Sequence, residues 1–202
     1  MNWKKHLKEM LKVSPYDLYE KIRDQRHNKI NLLKDEVLIQ NYFSNHEIYK
    51  LQIGCGDNLL DGWLNSDLKS SENTIRLDAG KPYTFENNTF DYIFSEHLFE
   101  HLRLSEQKSM LEESLRILKK GGIMRIATPS MGFLVDLYNN PNSEENREYS
   151  KWAVDRLPGL QEVRKFKIGA EFNHIYVINH FFKAWGHQSI HDFESLKTLV
   201  FG

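Results

Sequence analysis

The run Leu51-Gln52-Ile53-Gly54-Cys55-Gly56-Asp57-Asn58 constrains this chain most, because a short apolar strand passes directly into a glycine turn. An acidic residue, Asp67, then closes the next strand-like run. Glycines at 54 and 56 let the backbone turn tightly and approach a ligand with no Cβ in the way. Asp67, at the tip of the neighbouring strand, is placed to accept hydrogen bonds from a ribose diol. The pieces read together as a nucleotide-cofactor site. Each also has a plainer use: the glycines in an ordinary strand-to-helix turn, Asp67 as a helix N-cap, and Asp78 in a turn.

The segments after this turn set the fold class. Short apolar runs at 49–53, 63–66, 74–77, 90–94 and 123–127 read as strands, several apolar on both faces as buried parallel strands are. Between the last two a helix is expected. Ser105 caps its start, Met110, Leu111, Leu115 and Leu118 form its apolar face, and Lys119-Lys120-Gly121-Gly122 supplies cations and a glycine stop. Alternating strands and helices argue for an α/β, Rossmann-like doubly wound sheet, whose ligands sit beyond the carboxyl ends of the strands. Residues 46–202 are read as this domain, with an elaboration at about 131–190 that mixes a polar stretch, 139–143, with an aromatic and histidine-rich one. A last helix is expected over 192–199. Residues 1–45 read as an N-terminal helical cap, with Trp3, Leu7, Met10 and Leu11 at helical spacing and Ser14-Pro15 opening a second helix.

Composition narrows the partners. The 202 residues fit one domain with an appendage, and 40% hydrophobic content supports a core. A net charge of −1 provides no global basic field, so nucleic acid is not the expected partner. No apolar run approaches the roughly 20 residues of a membrane span, so no stable membrane insertion is expected. Lys4, Lys5, Lys8 and Lys12 give the first helix a basic face, but the apolar stretch and cleavage site of a signal peptide are missing. The single cysteine, Cys55, excludes an internal disulfide and agrees with a cytoplasmic location.

The motifs, in their order, resemble those of the class I S-adenosylmethionine-dependent methyltransferases, and in particular a small predicted group among them. The resemblance is carried by the glycine turn and by Gly62-Trp63-Leu64-Asn65-Ser66-Asp67-Leu68. It continues through Leu77-Asp78-Ala79-Gly80-Lys81-Pro82, then Asn88-Thr89-Phe90-Asp91-Tyr92-Ile93-Phe94-Ser95-Glu96-His97, and then Leu115-Arg116-Ile117-Leu118-Lys119-Lys120-Gly121-Gly122. Gly186-His187-Gln188-Ser189-Ile190-His191-Asp192-Phe193 resembles a downstream segment of the same group. The resemblance implies S-adenosylmethionine as cofactor and a parallel strand order of 3-2-1-4-5. It implies that Gly54, Cys55 and Gly56 face the methionine end and that Asp67, followed by Leu68, holds the ribose. Asp78 with Ala79 would meet the adenine, and Ser95 would line the methionine portion. Asn58 stands where many relatives carry a third glycine, and asparagine tolerates the left-handed backbone such a position requires. The antiparallel hairpin that usually completes this sheet is not expected, because only Val200-Phe201-Gly202 follows Leu199. The edge beside strand five is then expected to be covered by the N-terminal helices, by the elaboration or by a second subunit, and a homodimer is compatible with this.

Other chemistries compete. His97-Leu98-Phe99-Glu100-His101 matches the inverted zinc-peptidase string, in which two histidines share a helical face and a glutamate acts as base. The string falls just after a strand-four motif, where the methyltransferases it resembles often carry an acid-histidine pair, so no metal is assigned. A zinc-dependent hydrolase using His97 and His101 stays open as an alternative, as does an inactive cofactor-binding scaffold of the same fold. A nicotinamide enzyme is disfavoured because the loop lacks the third glycine of G-x-G-x-x-G, which brings a pyrophosphate onto a helix N-terminus. For methyl transfer to a hydroxyl, His97 is the candidate general base, and His101 reads as structural. Cys55 reads as a small residue packed under the turn. Phe172, Asn173, His174, Tyr176, Trp185 and His187 offer flat faces and polar groups for a small-molecule acceptor, a sugar or glycan precursor being preferred. His180 and His191 read as core or hydrogen-bonding groups.

Overall fold

Five short strands, each ended by a turn-forming or polar residue, make the scaffold. They are β1 (Lys50–Ile53), β2 (Leu64–Asp67), β3 (Ile75–Arg76), β4 (Phe90–Glu96) and β5 (Leu118–Ala127). In the computed structural model, which describes residues 31–166 and 169–201, they form one all-parallel sheet in the order β3-β2-β1-β4-β5. This is the expected Rossmann-like sheet. The expected helices on Trp3, Leu7, Met10 and Leu11 and after Ser14-Pro15 lie outside the described residues. The strand order reverses between β1 and β4, and Ile53 is in register with both Ser66 and Ser95. Gly54, Asp67 and Glu96 therefore leave the sheet at one level, around the crevice where such sheets bind ligands.

The two faces of the sheet differ. Leu51, Ile53, Ile75, Phe90 and Ile93 point to one side and pack with Tyr42 of α1 (31–45) and with Met110 and Ile117 of α2 (Leu104–Ile117). On the other side Tyr92 and Ile123 are exposed, and the Arg125 guanidinium lies 5.7 Å from the centre of the Phe94 ring. β4 and β5 are thus half-buried, while β1 and β2 are buried on both faces but with the polar Gln52 and Asn65 on the second, so the strands are not apolar on both faces as expected. The alternation is also incomplete: among the described residues only the β4-to-β5 crossover carries a helix, and the other three run as loops. Asn65 organises the first of these, accepting from the Leu60 N–H at 3.0 Å and donating to the Leu60 carbonyl at 3.1 Å.

The helix between β4 and β5 departs from its expected phase. It begins at Leu104, where the Arg103 N–H donates to Glu106 Oε2 at 2.8 Å, so Ser105 is not its cap. Gln107, Met110, Ser114 and Ile117 form the buried stripe, Leu115 is 74% exposed, and Leu118 already pairs with Phe90 in the sheet. The chain passes from helix to strand without the glycine stop. Gly121, at φ +82°, instead sits within β5, whose ladder shifts register between Phe90 and Tyr92. Lys119, expected at the helix end, donates to Asp91 Oδ2 at 2.8 Å and holds that carboxyl below its usual range.

Among the described residues, 131–190 build four α-helices, α3 (Met131–Asn139), α4 (Glu144–Arg156), α5 (Gln161–Lys165) and α6 (Asn173–Lys183). They share a second hydrophobic cluster of Leu137, Ala153, Val154, Leu160, Val163 and Val177. The polar stretch 139–143 is the turn between α3 and α4, where Asn146 donates to Asp136 Oδ2 at 2.9 Å. The last helix, α7 (Phe193–Phe201), is capped reciprocally: the Ser195 N–H donates to Asp192 Oδ1 and the Asp192 N–H to Ser195 Oγ. Its Leu196 and Leu199 pack on the face of the main core, and beyond β5 the described chain adds only the isolated bridge Ser130–His191. Among the described residues no helix is long and apolar enough to cross a membrane.

Phe90 is fully buried and meets Phe85 edge-on at 4.9 Å, at the junction of β4, α1 and the end of α2. Phe90→Ala is expected to lower unfolding stability by about 3–5 kcal/mol in urea titration, and a loss under about 1 kcal/mol would contradict this assignment of the core.

Candidate functional site

The turn after β1 is built by backbone. The N–H groups of Gly54 and Cys55 both donate to the Ser66 carbonyl, at 2.9 and 3.0 Å, and the Gly56 N–H donates to Asp67 Oδ2 at 3.0 Å. Gly54 has φ +73°, and a Cβ there would stand 2.7 Å from Leu98 Cδ2, so both conformation and close packing require glycine. Gly56 has φ +51° with open space where its Cβ would be. Asn58 does not take the left-handed backbone expected of it; its carbonyl accepts from the buried Gln52 Nε2 at 3.0 Å, which steadies the loop. Burial, with Asp67 adding to it, pushes the Cys55 thiol up to about 11, as suits an inert packed residue.

Two carboxylates stand at the carboxyl ends of neighbouring strands, Asp67 on β2 and Asp78 just after β3. Asp67 accepts one backbone N–H on each oxygen, from Gly56 at 3.0 Å and from Lys69 at 3.2 Å. A carboxylate has about four lone-pair sites, so each oxygen keeps one, a spacing that suits a vicinal diol. Leu68 beside it is exposed. Asp78 accepts from the Gly80 N–H at 3.1 Å and pairs with Lys81 at 2.8 Å, and the ammonium holds its carboxyl below the usual range. Ala79 is buried next to it, and its carbonyl accepts from the Tyr83 hydroxyl. Ser95, at the end of β4, is buried, and its Oγ has no hydrogen-bond partner. An orphaned hydroxyl, an open glycine face and two acceptors with spare lone pairs form a set that a nucleoside-bearing cofactor would complete.

The chain after β4 forms the other half. His97 adopts φ +51°, its N–H donates to the Ala127 carbonyl at 3.0 Å, and a single 3-10 turn, Phe99–His101, follows. The H-x-x-E-H string is therefore not the continuous helix that the zinc-peptidase reading requires, because the left-handed residue breaks it at the first histidine. Glu100 is 0% exposed; Oε1 lies 3.2 Å from His97 Nδ1, and Oε2 accepts from Thr128 Oγ1 at 3.0 Å. An ionised carboxylate only accepts, so Nδ1 of His97 carries a proton and a neutral ring presents Nε2 as its basic nitrogen. The imidazole itself is largely exposed.

His97, Glu100 and His101 floor a cavity of about 660 Å³, walled by Tyr149, Trp152, Phe181, Trp185 and His187. It lies between the strand ends and the helices of 131–190, and of the acceptor-facing residues expected from sequence it gathers Trp185 and His187. Asn173 and His174 instead border a separate hollow of about 450 Å³, while Phe172 and Tyr176 are exposed and line neither. Sequence reasoning missed Tyr149 and Trp152, whose signal was an i, i+3 aromatic pair in a mostly polar α4. His101 and His187 meet edge-on at 4.9 Å, and His187 Nδ1–H donates to the Phe181 carbonyl at 2.6 Å.

Residues 51–126, from within β1 to within β5, match the family profile described as "Methyltransferase domain". No curated protein matches the chain. Among solved structures, PKMT2 from Rickettsia typhi in complex with AdoHcy aligns at 16% identity and a TM-score of 0.45, over 76% of this chain and 38% of that one. The PH0226 protein from Pyrococcus horikoshii aligns at 20% identity and a TM-score of 0.39, over 63% and 66% of the two chains. A SAM dependent methyltransferase from Archaeoglobus fulgidus aligns at 17% identity and 0.36, over 55% and 60%. The chain thus spans about 38% of the length of the Rickettsia protein. Over residues 51–126 the chain is thus similar to the methyltransferase-domain family, on a five-stranded parallel sheet of order β3-β2-β1-β4-β5.

Proposed function

We propose that the protein transfers a methyl group from S-adenosylmethionine to a hydroxyl of a small-molecule acceptor held in the 660 Å³ cavity. The observation that carries this reading is the β4 turn, which serves both halves of the site: Leu98 packs on Gly54 of the cofactor turn, while His97 and Glu100 floor the cavity. When bound, the cofactor supplies a methyl carbon already activated by a positive sulfonium, so the protein mainly aligns the acceptor and excludes water.

The chain's own groups divide this work. Gly54, Cys55 and Gly56 would border the methionine end, with Ser95 Oγ as a polar contact. Asp67, with Leu68 flanking it, would take the ribose hydroxyls, and Asp78 with Ala79 would meet the adenine edge. His97, its tautomer fixed by Glu100, would accept the acceptor's proton at Nε2. The aromatic walls at Tyr149, Trp152 and Trp185 suit the C–H faces of a ring, which supports a sugar or glycan precursor as the acceptor. The buried free thiol of Cys55 is compatible with a cytoplasmic location.

Calorimetric titration with S-adenosylhomocysteine is expected to show one site. Asp67→Ala removes two charge-assisted bonds and should weaken binding by about 2–3 kcal/mol, roughly 30- to 150-fold. No binding at millimolar S-adenosylhomocysteine would sink the proposal. His97→Gln should leave that affinity unchanged while cutting turnover of a hydroxylated acceptor by about 10²- to 10⁴-fold. Equal turnover in His97→Gln and the parent would remove the base role.

A further inference from the structure

We propose that Glu100, His101 and His187 bind one divalent transition-metal cation, with zinc the leading candidate, on the floor of the acceptor cavity. A carboxylate oxygen of Glu100 and one ring nitrogen of each histidine all lie within 4.8 Å of one another. Zinc–ligand distances of about 2.0–2.2 Å at tetrahedral angles put two donors on one ion about 3.3–3.6 Å apart, so side-chain rotations that bring the donors together by up to about 1.5 Å close the site. Two imidazoles and one carboxylate are the donor set of open zinc sites, which keep a further position for water or substrate. The cavity borders all three residues and provides that position.

The surroundings of these donors orient them for a cation. Because the Phe181 carbonyl can only accept, His187 carries its proton on Nδ1 and, when neutral, leaves Nε2 with a free lone pair. Histidine ligands are commonly fixed in this way by a backbone carbonyl behind the ring. Glu100 is fixed likewise, by Thr128 on Oε2 and by His97 on Oε1. Its carboxylate is fully buried, and the groups that approach it are an alcohol and imidazoles rather than a lysine or arginine. A bound cation would supply the opposite charge that such a buried carboxylate calls for.

The site revises the metal reading of the H-x-x-E-H string. Its first histidine becomes the partner of the glutamate rather than a ligand, and the second ring comes from His187, far along the chain. In the methyltransferase reading, on which this role rests, the cation would hold the acceptor's hydroxyl oxygen and increase its acidity, with the proton passing to His97.

The test uses the full chain without a polyhistidine tag, purified without chelator. Metal analysis should find about one zinc per chain, and chelator-stripped protein should rebind zinc at one site by calorimetry. His101→Ala combined with His187→Ala should weaken zinc more than about 100-fold and leave S-adenosylhomocysteine affinity within about twofold. If that variant does not fold, His101→Gln serves, with weaker zinc binding at unchanged circular dichroism. Cobalt(II) should give the parent visible absorption bands that the variant lacks. Absence of a zinc site in the parent, or equal zinc affinity in parent and folded variant, overturns the proposal. Zinc binding without S-adenosylhomocysteine binding would support the cation site while refuting the methyl-transfer reading, so the two failures are distinguishable.

Discussion

Glu100 is the residue on which the two halves of the molecule hinge. Its carbonyl accepts from the N–H groups of Gln188 and Ser189, at 2.7 and 3.3 Å, and its carboxylate joins His97 to Thr128. Gln107, equally buried, donates to the Phe99 carbonyl and to Ser189 Oγ, while its own oxygen lies 3.1 Å from His191 Nε2. An unpartnered buried polar group costs about 1–3 kcal/mol, and more when charged, so these bonds are mutually required rather than incremental. They seat the segment after α6 against the turn after β4, and that seating sets where the helices of 131–190 stand relative to the strand ends.

The β4 turn carries two constraints at once. Its left-handed backbone at His97 directs Leu98 onto the turn after β1, where Gly54 leaves room for nothing larger than hydrogen. The same turn then presents Glu100 inward and His101 toward the cavity. A non-glycine residue with positive φ carries a cost of order 1–3 kcal/mol, and here the His97 N–H bond to Ala127 and the contact with Glu100 offset it.

The sheet order and the glycine turn after β1 were legible because their signals are local. Glycine placement, strand-tip acids and short apolar runs lie within a few residues of the structures they specify. The β5 boundary was not, since it depends on Leu118 pairing with Phe90, a distant partner that turns an apparent helix terminus into strand. The phase of α2 failed for a related reason: Leu111 and Leu115 fit a helical stripe as well as Gln107 and Ser114, and only the position of the sheet decides between them. Gln107 was further hidden because a polar residue reads as solvent-facing until its buried partners are known. In the elaboration, His187 and Trp185 were found by their chemistry, but their meeting with Glu100 rests on tertiary contacts that no spacing reports.

The separate hydrophobic cluster beneath α3 to α6 makes the cavity wall a modular part of the fold. Tyr149, Trp152 and Phe181 face the cavity from helices whose packing is settled among themselves, away from the glycine turn and the two aspartates. Substitutions there reshape what the cavity accepts while leaving the strand tips untouched. The shape of the cavity wall is therefore set within a single helical layer, independently of the turn after β1.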